Sequence, residues 1–209
     1  DVPQAVEVAR QSVEFADRSG DGFTRMVYRN GLANMLHQAG EFKEAEKLFR
    51  ESEAMQQERQ PEYPYLYSLQ GFQFCDLLLS LGQVQEVQQR AKKILDIGQR
   101  DEVLLEIALG NLSLGRAFLL QAYPDINVRA KSSSRLKPAM PEDQGASASL
   151  SFEAGDLSPE LAQAAQYLDQ AVAGLREAGQ MDDLPRGLLA RAALFRMTHQ
   201  FDKARADLH

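Results

Sequence analysis

Several residue types that carry chemistry are scarce in this sequence, and each scarcity argues against a class of function. Among 209 residues there is one cysteine, Cys75, no tryptophan and three histidines. One cysteine cannot form an internal disulfide, which favours a reducing compartment, so we expect a cytoplasmic protein. The sequence has no run of about 18 apolar residues and no charged-then-apolar leader, so we expect neither a membrane span nor an export signal.

The charge balance argues against nucleic acid as a partner. The formal net charge is −7, and the lysines and arginines form no cluster. Binding to a phosphate backbone depends on such clusters. With 44% apolar and 25% charged residues, the composition is that of an ordinary globular protein.

The motif search predicts that the chain is not an enzyme. The phosphate-binding patterns GxxxxGK[ST] and GxGxxG and the zinc pattern HExxH are missing. The segment "DRSGDG", residues 17–22, is similar to a calcium loop, but its twelfth position is Tyr28, where a bidentate glutamate is required. We therefore expect no metal, no cofactor and no small-molecule substrate, and we interpret Cys75 as a packing residue.

A helical spacing recurs five times along the chain. In "GEFKEAEKLFRES" the residues Phe42, Ala45, Phe49 and Ser52 lie three or four positions apart, which places them on one stripe of an α-helix. The same spacing begins at four further residues: Val6, Val84, Leu161 and Phe201.

The intervals between these starting residues indicate a structural repeat. They are 36, 42, 77 and 40 residues long. The long interval contains residues 123–159, which hold seven serines and four of the eight prolines, and 40 residues remain without this stretch. Prolines end helices and serine-rich tracts bury little apolar surface, so we predict a flexible loop inserted between the two helices of one hairpin.

Another helical segment precedes each of the marked helices except the one that begins at Val6, so each unit is a helical hairpin. These segments are residues 24–38, 65–81, 102–122 and 186–198. Gly40 and Gly82 stand where the first helix ends and the chain reverses with φ > 0. Ser158 and Pro159 have the character of an N-cap and a first helical residue.

These hairpins predict an all-α solenoid. One hairpin cannot cover both of its apolar faces, so neighbours must stack. We predict about four hairpins, with residues 1–122 before the insertion and residues 160–209 continuing the solenoid after it. The final hairpin is truncated, so we expect a fragment.

The connector "PEYPYLY", residues 61–67, is interpreted as a staple between hairpins, with an aromatic ledge at a groove edge as the alternative.

The helical positions resemble the tetratricopeptide repeat family. In "LGRAF", Leu114, Gly115 and Phe118 fill the large, small and aromatic places of a first helix, and "GEFKEAEKLF" matches the second helix. The sequence departs from the family in its repeat lengths of 40 and 42 instead of about 34, and in Arg191, where an apolar residue is expected. The segments "QPEYPYLYSLQGFQFCDLLL" and "LPRGLLARAAL" are similar to repeat arms of large bacterial signalling proteins.

The resemblance implies a non-catalytic protein–protein interaction module. In the family, first helices line a concave groove that binds a peptide or protein partner. The matching inner positions are Asn30, Asn34, His37, Phe72, Asp76, Arg116, Leu189 and Arg196. The basic residues of the family's carboxylate clamp are not reproduced, so we expect a specific protein partner, or another domain of the same polypeptide, and not a chaperone tail.

Two alternatives remain open at the level of sequence. The chain is alternatively the regulatory or sensor arm of a larger signalling enzyme, of nucleotide-switch or protease type, whose catalytic domain lies outside this fragment. His37, at a hairpin end, is interpreted as a partly exposed turn residue, with contact to a ligand as the alternative.

Overall fold

The computed structural model describes residues 2–123 and 158–209, and every regular element within those ranges is an α-helix. The predicted all-α class is therefore confirmed. The predicted insertion, residues 123–159, lies almost wholly outside the described residues. In chain order the helices are α1 Val2–Ser19, α2 Gly22–Ala39, α3 Phe42–Arg59, α4 Ser68–Leu81, α5 Val84–Arg100, α6 Leu104–Ala122, α7 Pro159–Glu177, α8 Leu184–Met197 and α9 Phe201–Leu208.

Local sequence explains where several helices begin and end. The Asp21 carboxylate accepts a hydrogen bond of 2.7 Å from the backbone N–H of Thr24 and caps α2. Ser158 caps α7, and Pro159 is its first residue, as predicted. Gly40 and Gly82 end α2 and α4 with φ of 83° and 78°, which confirms the predicted left-handed turns.

Two predicted helix starts were a few residues too early. We expected helices from Tyr65 and Glu102, but α4 begins at Ser68 and α6 at Leu104. Ser68 and Glu102 have φ of 53° and 54°. Ser68 is the first residue of α4, and Glu102 lies two residues before α6. A left-handed residue cannot lie inside a right-handed helix, so neither helix extends upstream of these residues.

Helices of two kinds alternate along the chain. We call α2, α4, α6 and α8 the first helices, and α1, α3, α5, α7 and α9 the second helices. Each first helix packs against the second helices before and after it. Each first helix also packs against the next first helix in the row, so the hairpins stack side by side as a helical repeat.

Small residues allow the helices to cross closely. Cys75 on α4 is fully buried, and burial raises the pKa of its thiol to about 12. This supports its interpretation as a packing residue, because a thiol of such pKa is not a nucleophile at neutral pH. On α6, a Cβ added at Gly115 would lie 2.6 Å from Leu168 Cγ of α7, so the backbone meets this side chain directly.

A buried ion pair joins the second helices α3 and α5. Arg90 Nη2 donates a hydrogen bond of 2.9 Å to Glu53 Oε1, and both residues are buried. The central carbon of the Arg90 guanidinium also lies 4.4 Å from the centre of the Phe74 ring and 4.6 Å from the centre of the Tyr65 ring. Burial alone would lower the pKa of Arg90, but the hydrogen bonds to carboxylates keep it above its ordinary value.

The connector between α3 and α4 is held by hydrogen bonds along its length. Gln56 Nε2 donates to the Tyr65 carbonyl at 2.7 Å, and the backbone N–H of Leu66 donates to Glu53 Oε2 at 2.9 Å. The rings of Tyr63 and Tyr67 lie 4.6 Å apart between centroids. These contacts tie the connector to α3, and the Tyr65 ring beside Arg90 of α5 ties it to the next hairpin, which favours the staple interpretation.

Arg191 replaces apolar packing with ion pairs in the last hairpin. It donates to Asp207 of α9 at 2.7 Å and to Asp169 of α7 at 3.1 Å. These two carboxylates belong to the second helices on either side of α8. Arg191 therefore links α7, α8 and α9 through ion pairs.

Candidate functional site

The first helices pack against one another along one side of the array. Their backbones meet in the order α2, α4, α6, α8, whereas neighbouring second helices meet mainly through side chains, such as Arg50 with Glu86 and Arg90 with Glu53. Elements that stand closer together on one side curve a stack toward that side, so we expect the row of first helices to be its concave face.

One aspartate connects three successive first helices. Asp76 of α4 accepts a hydrogen bond from Arg116 of α6 through Oδ1, and Oδ2 accepts one of 3.3 Å from Arg186 of α8. The Arg186 guanidinium also lies 5.7 Å from the centre of the Phe72 ring. We call Phe72, Asp76, Arg116 and Arg186 the Asp76 cluster. It contains two cations and one anion on a chain whose net charge is −7.

His37 of α2 makes a further polar contact with α4, next to the Asp76 cluster. Its Nε2 shares a hydrogen bond of 3.0 Å with Ser80 Oγ of α4, while its Nδ1 is buried without a partner. The interpretation of His37 as a partly exposed turn residue was wrong, because only 9% of it is exposed. The α4 helix covers it, and no local sequence signal indicates that packing.

Burial lowers the pKa of His37. Asp76 opposes this shift, whereas the positive charges of Arg116 and Arg186 add to it. The neutral imidazole is therefore the form that the folded protein favours.

We expect His37 to make stability fall as the pH drops. The unfolded chain binds a proton at histidine near pH 6.5, whereas the folded chain resists it, so protonation favours unfolding below about pH 6.5. Between about pH 7 and about pH 5.5, the wild type should therefore lose more unfolding free energy than His37→Gln does. Urea titrations of both proteins at both pH values test this, and equal losses in the two proteins would contradict it.

An apolar cleft lies beside the Asp76 cluster. It has a volume of about 240 Å³ and opens between α4, α6 and α8. Ser80 and Arg116 supply its polar edge. Its apolar walls are formed by Leu79, Leu119, Leu120, Ala190 and Ala193.

The eight predicted groove residues fall into three groups. Asp76 and Arg116 pair directly, and Phe72 and His37 adjoin them through Arg186 and Ser80. Asn30 forms the second group: like Phe72, it is only 2% exposed, so neither of these side chains lines the open surface of the groove. The others are Asn34, which is half-buried on α2, and Leu189 and Arg196, which are exposed on α8.

Sequence reasoning missed Arg186 and the cleft walls. Arg186 lies one turn before Leu189 and Ala190 on α8, so the inner stripe that predicted Leu189 also contained it. Its contact with Asp76 spans 110 residues of sequence. Only the packing of three hairpins brings these side chains together.

Residues 2–123 and 158–209 offer neither a metal site nor a membrane span. No group of three or more histidine, cysteine, aspartate or glutamate side chains in these ranges is placed to hold a metal ion. None of the helices described is both long and apolar enough to cross a bilayer.

The helices define an all-α helical-repeat protein, and comparisons with known proteins add no family. No family model and no curated protein sequence matches the chain. Among solved structures, the crystal structure of BtubC (BKLC) from P. vanneervenii is similar, with a TM-score of 0.43 and 17% identity over 99% of this chain and 87% of that chain. A likeness at this level carries no argument about function.

Proposed function

We propose that this chain is a non-catalytic protein–protein interaction module of the tetratricopeptide-repeat type, acting in the cytoplasm. Its partner is a protein or peptide that lies along the concave row of first helices. The observation that carries the proposal is the Asp76 cluster beside the apolar cleft, because the two together offer charged donors and an apolar recess on one surface.

The chemistry of this surface indicates what the partner presents. Each guanidinium carries five N–H donors, and Arg116 and Arg186 share a single carboxylate, so donors remain for a partner's backbone carbonyls or acidic side chains. The cleft walls fit an apolar side chain. A partner segment with an apolar side chain next to a hydrogen-bond acceptor fits both the cleft and the free arginine donors.

The state of the cysteine argues against a cysteine nucleophile. A nucleophilic cysteine needs an exposed thiol of lowered pKa, whereas Cys75 is buried and its pKa is raised to about 12.

Retention of partners from the source lysate tests the proposal. We expect immobilised wild-type protein to retain a partner that Arg116→Ala retains at least about tenfold less, since a buried charge-assisted contact is typical of binding hot spots. Lys92→Ala, on the exposed side of α5, is the matched surface control and should retain as much as the wild type. Equal retention by Arg116→Ala and wild type would contradict the proposal, provided that circular dichroism shows Arg116→Ala to be folded.

A further inference from the structure

A cavity lies between the α2–α3 hairpin and the start of α4. It shares no lining residue with the Asp76 cluster or with the apolar cleft beside that cluster. Its volume is about 310 Å³, which is within the range of small-molecule sites in proteins. The walls come from the first two turns of α2, the end of α3 and the last residue of the connector. We call this space the connector cavity, and its lining residues are Phe23, Met26, Gln56, Arg59, Gln60 and Tyr67.

Two aromatic rings offer flat surfaces in the connector cavity. Phe23 of α2 is 54% exposed, so much of its ring is open to an occupant. The Tyr67 ring is fixed in place, because its centre lies 4.6 Å from that of Tyr63 and its hydroxyl donates a hydrogen bond of 3.2 Å to Gln60 Oε1. An aromatic ligand gains buried area and ring stacking from such surfaces.

A buried amide in the cavity wall has an acceptor without a donor. Gln56 is only 3% exposed, and its Nε2 donates hydrogen bonds to the carbonyls of Tyr65, at 2.7 Å, and Tyr63, at 3.5 Å. These carbonyls fix which way the amide is turned, because an oxygen in the place of Nε2 would face two other acceptors. Gln56 Oε1 accepts no hydrogen bond from any residue that the structure describes. This oxygen therefore lacks an N–H or O–H donor.

A cation at the edge of the same cavity also lacks a polar partner. The central carbon of the exposed Arg59 guanidinium lies 5.2 Å from the centre of the Phe23 ring. Within the described part of the chain, Arg59 makes no hydrogen bond and no ion pair. The pKa of the Asp21 carboxyl is lowered by hydrogen bonds from Thr24 and, to a smaller extent, by the positive charge of Arg59, so the two charges are near one another without pairing. A planar guanidinium that is free in this way matches a carboxylate, which accepts two parallel N–H bonds.

We propose that the connector cavity binds a small planar aromatic acid that carries a ring N–H. The ring of the ligand packs against Phe23 and Tyr67. Its N–H donates to Gln56 Oε1, and its carboxylate accepts hydrogen bonds from Arg59. This site goes beyond the binding of a protein partner, and it departs from the sequence-based expectation that the chain binds no small molecule.

Other occupants match the lining less well. None of the six lining residues is an aspartate, glutamate, histidine or cysteine, so a metal ion finds none of its usual charged or imidazole ligands there. The charge of Arg59 disfavours an organic cation. A lone inorganic anion would leave both aromatic rings and the Gln56 oxygen unused.

Titration with indole-3-acetate tests the proposal. This probe has a ring N–H and a carboxylate, and the chain contains no tryptophan, so indole fluorescence reports the probe alone. We expect its anisotropy to rise on binding to the wild type. 1-Methylindole-3-acetate lacks the N–H and should bind at least about fivefold more weakly. 3-Methylindole lacks the carboxylate and should bind at least about tenfold more weakly.

Two arginine variants provide a matched comparison. Arg59→Gln changes an exposed side chain and should fold normally, yet it should weaken binding of indole-3-acetate at least about tenfold. Arg18→Gln removes a similar exposed guanidinium, which lies 5.4 Å from the centre of the Phe15 ring at the end of α1, outside the connector cavity. It should bind the probe as the wild type does. Circular dichroism checks that both variants are folded.

Several results would overturn the proposal. Absence of binding by indole-3-acetate would do so, as would equal affinities of the wild type and Arg59→Gln. Equally tight binding of 3-methylindole would reduce the cavity to an apolar void, and equally tight binding of 1-methylindole-3-acetate would exclude Gln56 as the acceptor. If Arg116→Ala abolished binding, the probe would lie in the cleft beside the Asp76 cluster instead. Retention of a protein partner depends on none of the connector-cavity residues, so failure here leaves the interaction-module proposal intact.

Discussion

Ala45→Asp is expected to unfold the second helix α3 from its neighbours. Ala45 is 0% exposed and belongs to the core formed by α2, α3 and α4. A carboxylate there has no cation and no water to compensate for its burial, which is among the most destabilising changes in a folded protein. We expect a loss of more than about 4 kcal/mol in the free energy of unfolding. Urea unfolding followed by circular dichroism measures it.

The same substitution nine residues later provides the control. Ala54 lies on the exposed side of α3, so Ala54→Asp adds an equal charge to the same helix without burying it. Its cost should stay below about 1 kcal/mol. If Ala45→Asp melted like the wild type, the apolar stripe that begins at Phe42 would be assigned to the wrong face.

Arg90→Met is expected to be nearly as damaging, for an electrostatic reason. Removing the guanidinium leaves the Glu53 carboxylate buried with the backbone N–H of Leu66 as its remaining donor. Breaking a buried ion pair on one side typically costs about 3–5 kcal/mol, because the remaining charge is uncompensated. Denaturant titration of the variant gives this quantity directly.

Two further variants separate burial from the ion pair itself. Arg10→Met breaks a pair of similar geometry with Glu44, but both of those side chains are about 40% exposed, so the cost should stay below about 1 kcal/mol. Adding Glu53→Gln to Arg90→Met removes the stranded charge and should recover part of the loss. If Arg10→Met and Arg90→Met cost the same, burial would not determine the strength of these pairs.

The fold was largely predictable because its signals are local. The stripe that begins at Phe42 and its copies at Val84 and Leu161 mark second helices, and the chain reverses at Gly40 and Gly82 as predicted. Repeated units also constrain one another, so one clear hairpin helps to place the others. The resemblance to tetratricopeptide repeats stays a prediction, since the comparisons test it neither way.

The arrangement of the site was less predictable because its contacts are distant in sequence. Asp76 and Arg116 were both expected in the groove, but the sequence did not indicate that they pair or that Arg186, which was missed, joins them. The burial of His37 depends on α4, and that of Phe72 on a core shared with α5, α6 and α7. Spacing along one helix shows which residues share a face, but it does not show what the next hairpin lays over that face.

A photocrosslinking comparison tests the central claim, that partners bind the concave row of first helices. A benzoylphenylalanine is placed at Leu189, which is 59% exposed on α8, or at Lys92, which is exposed on the second helix α5. The account predicts that the same partner is captured efficiently from Leu189 and barely from Lys92, and that Arg116→Ala reduces the yield at Leu189. Capture from Lys92 in preference to Leu189 would contradict it, because the partner would then lie on the second helices.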